Sequence, residues 1–419
     1  MLPSLLVALA LGVPSARAPA QSVMDSIARL PGNQAERNTR PLLAPERFAA
    51  LPAVERAAWA DYLARSQRAL AGDTALMNGE LRRAGHSAMT RAPYVRESFT
   101  VDATMTGAWM RGAEARQLAD VMLTYQTPSG GWSKHVDLRQ APRAAGQSFF
   151  SENEQWQYIA TIDNGATTSQ MEFLARLDGV QPAARYRASF VRGVSWLLDA
   201  QYPNGCWPQV YPLQGGYHDN ATFNDDAIVH AATMLREVGA GRPAFVPRPL
   251  QRRAAAAYRS AVQCLLAAQA RVNGALTIWP QQADPLTLQP ASARSYEHRS
   301  LSAKESIPVV LLLMAIEAPD PSIVRAVHAA RDYLERTRIA GLSYDQYVAR
   351  AQPGAGPLWA RMYEIGTDRP IFSNRDGVVL YDWAKLTDRR EGYGWYTDAP
   401  AAFLDRYPAW ARTHPREAP

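Results

Sequence analysis

The stretch Gln201-Tyr-Pro-Asn-Gly-Cys-Trp207 closes one helical pattern, and Gln126-Thr-Pro-Ser-Gly-Gly-Trp132 closes another in the same way 75 residues earlier. The two endings match at Gln, Pro, Gly and Trp, and each follows apolar residues at helical spacing. A helix that ends in a Gly- and Pro-rich loop and leads into a second helix is a helical hairpin. Hairpins that repeat stack into a ring or a superhelix.

The spacing of apolar residues predicts two sets of helices. Helices that precede the tryptophan loops are predicted over residues 113–126, 184–201 and 249–269. Partner helices are predicted over residues 166–178, 224–239, 303–317 and 321–338. Weaker matches to this loop sequence occur around Trp279 and Trp395. Because the chain has no convincing alternating strand pattern, we predict an all-α toroid of helical hairpins with a few short strands and extra N-terminal helices.

The N-terminus and the composition predict an exported globular protein. Residues 5–13 form a short apolar run followed by small residues, which is typical of a signal peptide over residues 1–20. We expect an N-terminal helical segment over 21–105 and the toroid over 106–419. The chain is 47% hydrophobic with a net charge of +6, and no other stretch approaches the length of a membrane span. We therefore expect a secreted or periplasmic monomer with no nucleic-acid partner and no membrane span.

Two cysteines, Cys206 and Cys264, could pair in an oxidising compartment. Their spacing alone does not place them within reach of each other.

Two clusters of oxygen ligands open predicted helices. Asp163 and Asn164 lie in Thr-Ile-Asp-Asn-Gly-Ala-Thr-Thr, and Asp225 and Asp226 lie in Phe-Asn-Asp-Asp-Ala. Each cluster could be only a helix N-cap, since Asp and Asn are preferred there. In a ring of hairpins, however, both clusters lie at one end of the toroid, and hard oxygen ligands from separate helices suit Ca²⁺.

Aromatic and basic residues supply candidates for substrate binding. Most loop tryptophans are expected to fill the core, whereas Trp132, between glycines and Lys134, is the candidate stacking platform for a sugar ring. Arg361 and Arg375 lie in loops punctuated by Pro and Gly, and arginine binds carboxylates through two hydrogen bonds. Together with the acidic clusters they indicate a polyanion held by a cation on one side and by arginine on the other.

Taken together, these motifs resemble polysaccharide lyase family 10, the pectate lyases. The resemblance rests on Gln-x-Pro-x-Gly-Gly-Trp-x-Lys, Thr-Ile-Asp-Asn, Gln-Tyr-Pro-Asn-Gly-x-Trp-Pro-Gln, Phe-Asn-Asp-Asp, Ala-Arg-x-Tyr-Glu, Trp-Ala-Arg and Arg-Asp-Gly, in the family's order over residues 110–400. It implies an (α/α) toroid that cleaves polygalacturonate, the polymer of pectin, by anti β-elimination with Ca²⁺.

The resemblance also assigns roles to residues. Arg294 of Ala-Arg-Ser-Tyr-Glu would be the base that removes the C5 proton. Asp163 and Asn164, with Asp225, would form the site where Ca²⁺ bridges enzyme and substrate. Lys134, Arg361 and Arg375 would hold galacturonate carboxylates. Because a free guanidinium is always protonated, an arginine base predicts an alkaline pH optimum.

The chain departs from the family at several positions, among them Ser133, Cys206, Ala283 and Ala303, where the family usually has Pro, Gly, His and Gly. Ala283 puts contacts at one edge of the cleft in doubt. Three other functions stay open: an (α/α)-barrel glycoside hydrolase that uses Asp163 and Asp225, a terpene-cyclase-like protein, and a non-catalytic pectin-binding toroid. Against the terpene-cyclase-like function, the chain has no Asp-x-Asp-Asp run.

Overall fold

The computed structural model describes residues 42–151 and 159–416, so the predicted signal peptide lies outside the described residues. The fold is dominated by helices, which confirms the all-α prediction. In chain order they are α1 Pro45–Phe48, α2 Ala53–Ala84, α3 Gly107–Met110, α4 Ala113–Thr124, α5 Thr168–Val180, α6 Ala184–Ala200, α7 Ala227–Gly239, α8 Arg248–Ala268, α9 Ala303–Met314, α10 Pro321–Arg336 and α11 Ala399–Thr413. None of these described helices combines the length and apolar character that a membrane crossing needs.

The strands are short and antiparallel, and several tie the loops of successive hairpins together. They are β1 Ala160–Thr161, β2 Val210–Tyr211, β3 Ala221–Thr222, β4 Arg271–Val272, β5 Ala275–Leu276, β6 Gln282–Ala283, β7 Pro290–Ala291, β8 Leu301–Ser302, β9 Leu342–Asp345, β10 Val348–Ala351, β11 Trp359–Ala360, β12 Met362–Tyr363, β13 Phe372–Ser373, β14 Val379–Leu380 and β15 Tyr396–Thr397. Strand β1 pairs with β2, β3 with β6, and β8 with β12, so the loop ends of the hairpins form one connected surface.

The hairpins pack as two adjoining rows of helices. Helices α4, α6, α8 and α10 are neighbours in the first row, and α5, α7, α9 and α11 are neighbours in the second. One prediction about pairing is wrong: the helix at 321–336 was expected to be a partner helix, but it belongs to the first row. Its own tryptophan loop is the one at Trp359, whose indole N–H donates to Leu334 of this helix. That loop lies further along the chain than the spacing of the earlier repeats indicates.

Repeated hydrogen bonds of the Gln–Trp loops join the first-row helices. The amide of each loop glutamine donates to a backbone carbonyl of the next helix in the row, at 2.9 Å in each case: Gln126 to Ser189, Gln201 to Ala257 and Gln269 to Ala326. The indole N–H of each loop tryptophan donates back to a carbonyl near the end of its own helix: Trp132 to Met122, Trp207 to Leu197, Trp279 to Leu265 and Trp359 to Leu334. These bonds satisfy carbonyls that a helix end leaves without partners.

The loop tryptophans are therefore part of the core. The expectation for Trp207, Trp279 and Trp395 is confirmed, since all three are fully buried. The prediction that Trp132 stacks on substrate is wrong. Its side chain is 1% exposed and lies against Gly193 of the next hairpin, so no ring face is open to a sugar.

A disulfide and the long N-terminal helix reinforce the middle of the row. Cys206, in the loop after α6, is bonded to Cys264 of α8, which settles the pairing that the sequence left open. Helix α2 packs on α6. Its buried Asp73 accepts hydrogen bonds of 2.8 Å from the backbone N–H and the hydroxyl of Ser129, in the first tryptophan loop. Burial raises the pKa of Asp73 to about 7.

We predict that Gly205→Ala destabilises the protein by about 3 kcal/mol. Gly205 has φ of 90°, and a Cβ there would lie 2.1 Å from the carbonyl oxygen of Ser260 in α8. Gly215 is the matched control: its φ is 82° but a Cβ would meet nothing within 4 Å, so Gly215→Ala should cost about 1 kcal/mol. Urea unfolding of both variants measures the difference, and equal losses would show that close approach to α8 is unimportant.

Candidate active site

Two tight turns at the start of second-row helices hold the acidic clusters. Residues Asp163–Gly165 and Asn224–Asp226 form single 3₁₀ turns ahead of α5 and α7. Asn164, Asp225 and Asp226 all have positive φ, which is uncommon for residues other than glycine and is a frequent feature of functional sites. The residues at the N-caps, Thr167 and Asp226, make no side-chain hydrogen bond to their helices. The interpretation of these clusters as simple N-caps is therefore wrong.

The two turns contact each other, and amide groups link their carboxylates. The Nδ2 of Asn224 donates to Asp163 Oδ1 at 3.2 Å and to Asp225 Oδ2 at 2.8 Å, and Asn164 Nδ2 donates to Asp225 Oδ2 at 3.4 Å. Asp163, Asn164 and Asp225, which were predicted to act together, are thus neighbours around one point.

Two lysines neutralise this acidic cluster. Lys134 Nζ lies 2.7 Å from Asp163 Oδ2 and 3.4 Å from Asn164 Oδ1, and Lys304 Nζ lies 2.8 Å from Asp225 Oδ1. Burial raises the pKa of Asp225, but the charges of Lys304 and Arg361 prevail and lower it to about 2. Asp225 is therefore an anion throughout the physiological range.

Asp226 is set apart from this group. It lines a second cavity rather than the main one, and burial raises the pKa of its carboxyl. Asn164 and Asp225 line both cavities, whereas Asp226 lines the second one alone, so Asp226 lies at the edge of the predicted ligand set.

Arg361 lies beneath the cluster. It is 5% exposed and does not line the cavity. Its Nη2 donates to Asn224 Oδ1 at 3.1 Å and to a carboxylate oxygen of Glu305, which is fully buried, and lies 3.7 Å from Asp225 Oδ1. The prediction that Arg361 holds a substrate carboxylate does not fit this position, because its guanidinium already binds the residues that orient Asp225.

The clusters open into a cavity of about 650 Å³, which Arg294 also lines. The lining residues are Arg91, Lys134, Phe150, Ile159, Thr161, Asp163, Asn164, Gln209, Val210, Tyr217, His218, Asn224, Asp225, Gln282, Arg294 and Glu297. Such a volume suits a few sugar rings rather than a small metabolite.

Arg294 is held by a buried carboxylate. Its Nε and Nη2 donate to the two oxygens of Glu297 at 2.7 Å and 2.5 Å. Glu297 is buried and also accepts hydrogen bonds from Gln281 and Tyr393. Burial lowers the pKa of Arg294, but the hydrogen bonds and charge of Glu297 more than compensate and raise it. Burial raises the pKa of Glu297, and its bonds to Arg294 lower it to about 2.

Arg375 lies near this pair but at the surface. It is exposed, its Nη1 donates to the backbone carbonyl of Asp388 at 3.3 Å, and its own carbonyl accepts a hydrogen bond from Ser295, the neighbour of Arg294. Arg375 is not among the residues that line the main cavity. The structure therefore places it outside the cavity, beside the Arg294 segment.

The residues around the cavity fit a Ca²⁺ ion by donor type. Carboxylate and amide oxygens of Asp163, Asn164 and Asp225 line its wall, and Ca²⁺ favours such oxygen ligands. Among residues 42–151 and 159–416, no three His, Cys, Asp or Glu side chains gather as a metal site. An ion held here would need further oxygens from substrate or water, and it would compete with Lys134 for Asp163.

Several site residues were not recognised from the sequence. Glu297 stands within the quoted Ala-Arg-x-Tyr-Glu motif and Lys304 lies in a predicted helix, but nothing in the pattern shows which charged group each one contacts. Glu305, Gln281 and Tyr393 carry no local signal at all, because their roles arise only when α9 and the late loops meet the two turns.

The chain is similar to known pectic lyases. Residues 126–404 match the family model described as pectic acid lyase. A family 10 polysaccharide lyase from Cellvibrio cellulosa shares 32% identity, with a TM-score of 0.64, over 75% of this chain and 98% of its own. A mutant of that lyase in complex with trigalacturonic acid shares 31% identity, with a TM-score of 0.64, over 76% and 100% of the two chains. The chain matches no curated protein.

We predict that Arg361→Met costs about 3–5 kcal/mol of stability, because it leaves Glu305 buried without its partner. The double variant Arg361→Met/Glu305→Leu should recover part of that loss, since it removes both charges. Arg336→Met is the control: its pair with Asp368 is largely exposed, so the loss should stay below about 1 kcal/mol. Denaturant unfolding measures all three, and a loss for Arg361→Met no larger than the control's would contradict a buried structural pair.

Proposed function

This chain belongs to the pectic acid lyase family, polysaccharide lyase family 10, and from that premise we propose that it is a pectate lyase that cleaves polygalacturonate by Ca²⁺-dependent anti β-elimination. One observation carries the proposal. A cavity of sugar-chain size is lined both by Arg294 and by the cluster of Asp163, Asn164 and Asp225. A trigalacturonic acid complex of the similar Cellvibrio lyase supports the same class of substrate.

The elimination needs groups that favour charge on the substrate carboxylate. Removing the C5 proton builds a second negative charge on that carboxylate, which is the step that catalysis must ease. Asp163, Asn164 and Asp225 would hold Ca²⁺, which when bound would stabilise the charge that develops on the substrate carboxylate. Lys134 lines the same wall and would add a positive charge beside it.

Arg294 is the proposed base. As its neutral guanidine nitrogen takes the C5 proton, the electron pair of the C5–H bond moves onto the carboxylate. That pair then forms the C4–C5 double bond as the C4–O bond breaks, and the leaving oxygen keeps the C4–O electron pair and takes a proton from solvent. Only neutral arginine can accept a proton, and Glu297 raises the pKa of Arg294. The neutral fraction of Arg294 is therefore small and increases with pH, which supports an alkaline optimum.

The two remaining arginines take different roles. We place Arg375 at the edge of the site, where its exposed side chain would hold a carboxylate of a bound polymer. Arg361 instead positions Asn224 and Asp225 from below. The hydrolase alternative is disfavoured at Asp225, because a general acid needs a raised pKa and that of Asp225 is lowered to about 2.

Export to the periplasm or the medium is part of the proposal. The apolar N-terminal run and the Cys206–Cys264 disulfide support it, since such bonds persist in oxidising compartments. We propose that the enzyme acts there as a monomer.

We predict that the mature protein converts polygalacturonate to an unsaturated product at alkaline pH, followed as a rise in ultraviolet absorbance. EGTA should abolish the rise and Ca²⁺ should restore it. Asp225→Ala should lower kcat/KM on the order of 10²–10³-fold, whereas Asp368→Ala, which removes a surface ion-pair partner, should leave it unchanged. New reducing ends without ultraviolet absorbance would instead establish a hydrolase.

We predict that Glu297→Gln moves the rising limb of the pH–rate profile, along which the rate increases with pH, to lower pH. Removing the negative charge lowers the pKa of Arg294, so the neutral base appears earlier as pH rises. Glu364→Gln is the control, because Glu364 pairs with Tyr381 and does not line the cavity. An unshifted limb in Glu297→Gln would rule out Arg294 as the group that titrates.

A further inference from the structure

A short segment of the N-terminal region is fixed along one side of the active site. Residues 90–95 run beside the loop 135–148. Thr90 exchanges backbone hydrogen bonds with Gly146 and Ser148, at 3.2 Å and 2.8 Å. Val95 N–H donates to the carbonyl of His135 at 3.0 Å, and Asp137 N–H donates to that of Pro93 at 2.9 Å. The segment is thus held in place by backbone bonds to the loop that follows Lys134.

This segment lines two cavities that meet at the acidic cluster. Arg91 lines the main cavity of about 650 Å³, and Arg96 lines a second cavity of about 550 Å³. Asn164 and Asp225 line both cavities, so the two spaces adjoin each other across these residues. A linear chain that occupied both cavities would meet Arg91 in the first and Arg96 in the second.

We propose that segment 90–100 extends the substrate groove, and that Arg91 in the main cavity and Arg96 in the second cavity each bind a carboxylate of the polyuronate. The inference rests on the proposed function, and it concerns residues that precede the matched region 126–404. Both arginines are exposed, as polymer-binding groups must be, and a guanidinium binds carboxylate through two aligned hydrogen bonds.

The second cavity is lined by charges of both signs. Arg96, Lys304 and His135 lie on its wall together with Asp225, Asp226 and Glu97. Lys304 is paired with Asp225. Arg96 is the cationic side chain that the N-terminal segment adds to this cavity, so a carboxylate that enters the second cavity would bind there.

The test compares chain lengths in the full-length protein. KM and kcat are measured for wild type, Arg91→Ala, Arg96→Ala and the double variant on polygalacturonate and on trigalacturonate. We expect each single change to raise KM for the polymer about fivefold, with kcat within twofold and a smaller effect on the trimer. Added NaCl should raise KM less steeply in the double variant, because two screened contacts are already gone.

Arg82→Ala is the matched control, an exposed arginine near the end of α2 that lines neither cavity, and it should behave as wild type. Unchanged KM in the double variant, or a fall in kcat that is equal for both substrates, would overturn the inference. A wild type that makes no unsaturated product would instead count against the proposed function. Calorimetric binding of a hexagalacturonate to wild type and double variant then still decides whether the arginines bind the polymer.

Discussion

The hydrogen bonds of the loop glutamines and tryptophans are the constraint on which the structure depends. Each glutamine ties its loop to the next first-row helix, and each tryptophan closes the end of its own helix. Because these donors and acceptors are buried, breaking one leaves an unpaired polar group, which costs more than a surface bond. The loops are therefore fixed in length and direction. The turns that follow them, Asp163–Gly165 and Asn224–Asp226, come to lie against each other.

Charges at the site are arranged in layers. Arg361 and Glu305 form a buried pair at the bottom, the cluster of Asp163 and Asp225 lies above them, and the two lysines contact it from its sides. Arg294 is paired in the same way with the buried Glu297. Arg294 and Asp225 are thus each held by a more deeply buried group, Glu297 and Arg361. These pairs explain why Asp225 and Glu297 stay ionised although burial opposes their charge.

The sequence anticipates the hairpins and the acidic cluster because both depend on local patterns: helical spacing, Gly and Pro at loop positions, and oxygen ligands at helix starts. It fails where only packing decides. The flanking glycines and Lys134 indicate that Trp132 binds a sugar ring, but in the fold its indole packs against Gly193 of the next hairpin. Trp359 was not recognised as a repeat tryptophan, because its loop lacks the spacing between Gln, Pro and Trp that the first two loops share. Arg361 looks like a loop arginine in sequence, and only the fold shows that it is buried. Arg91 belongs to no motif, and its position follows from backbone bonds to a distant loop.

The Cys206–Cys264 bond joins the loop after α6 to α8, and the turn that carries Asp225 lies between these two points along the chain. In a row of hairpins each unit is supported mainly by its neighbours. A covalent link across one hairpin limits how far its two sides can separate when neighbouring helices open. The disulfide therefore restrains the backbone around Asp225 independently of the helices at the end of the chain.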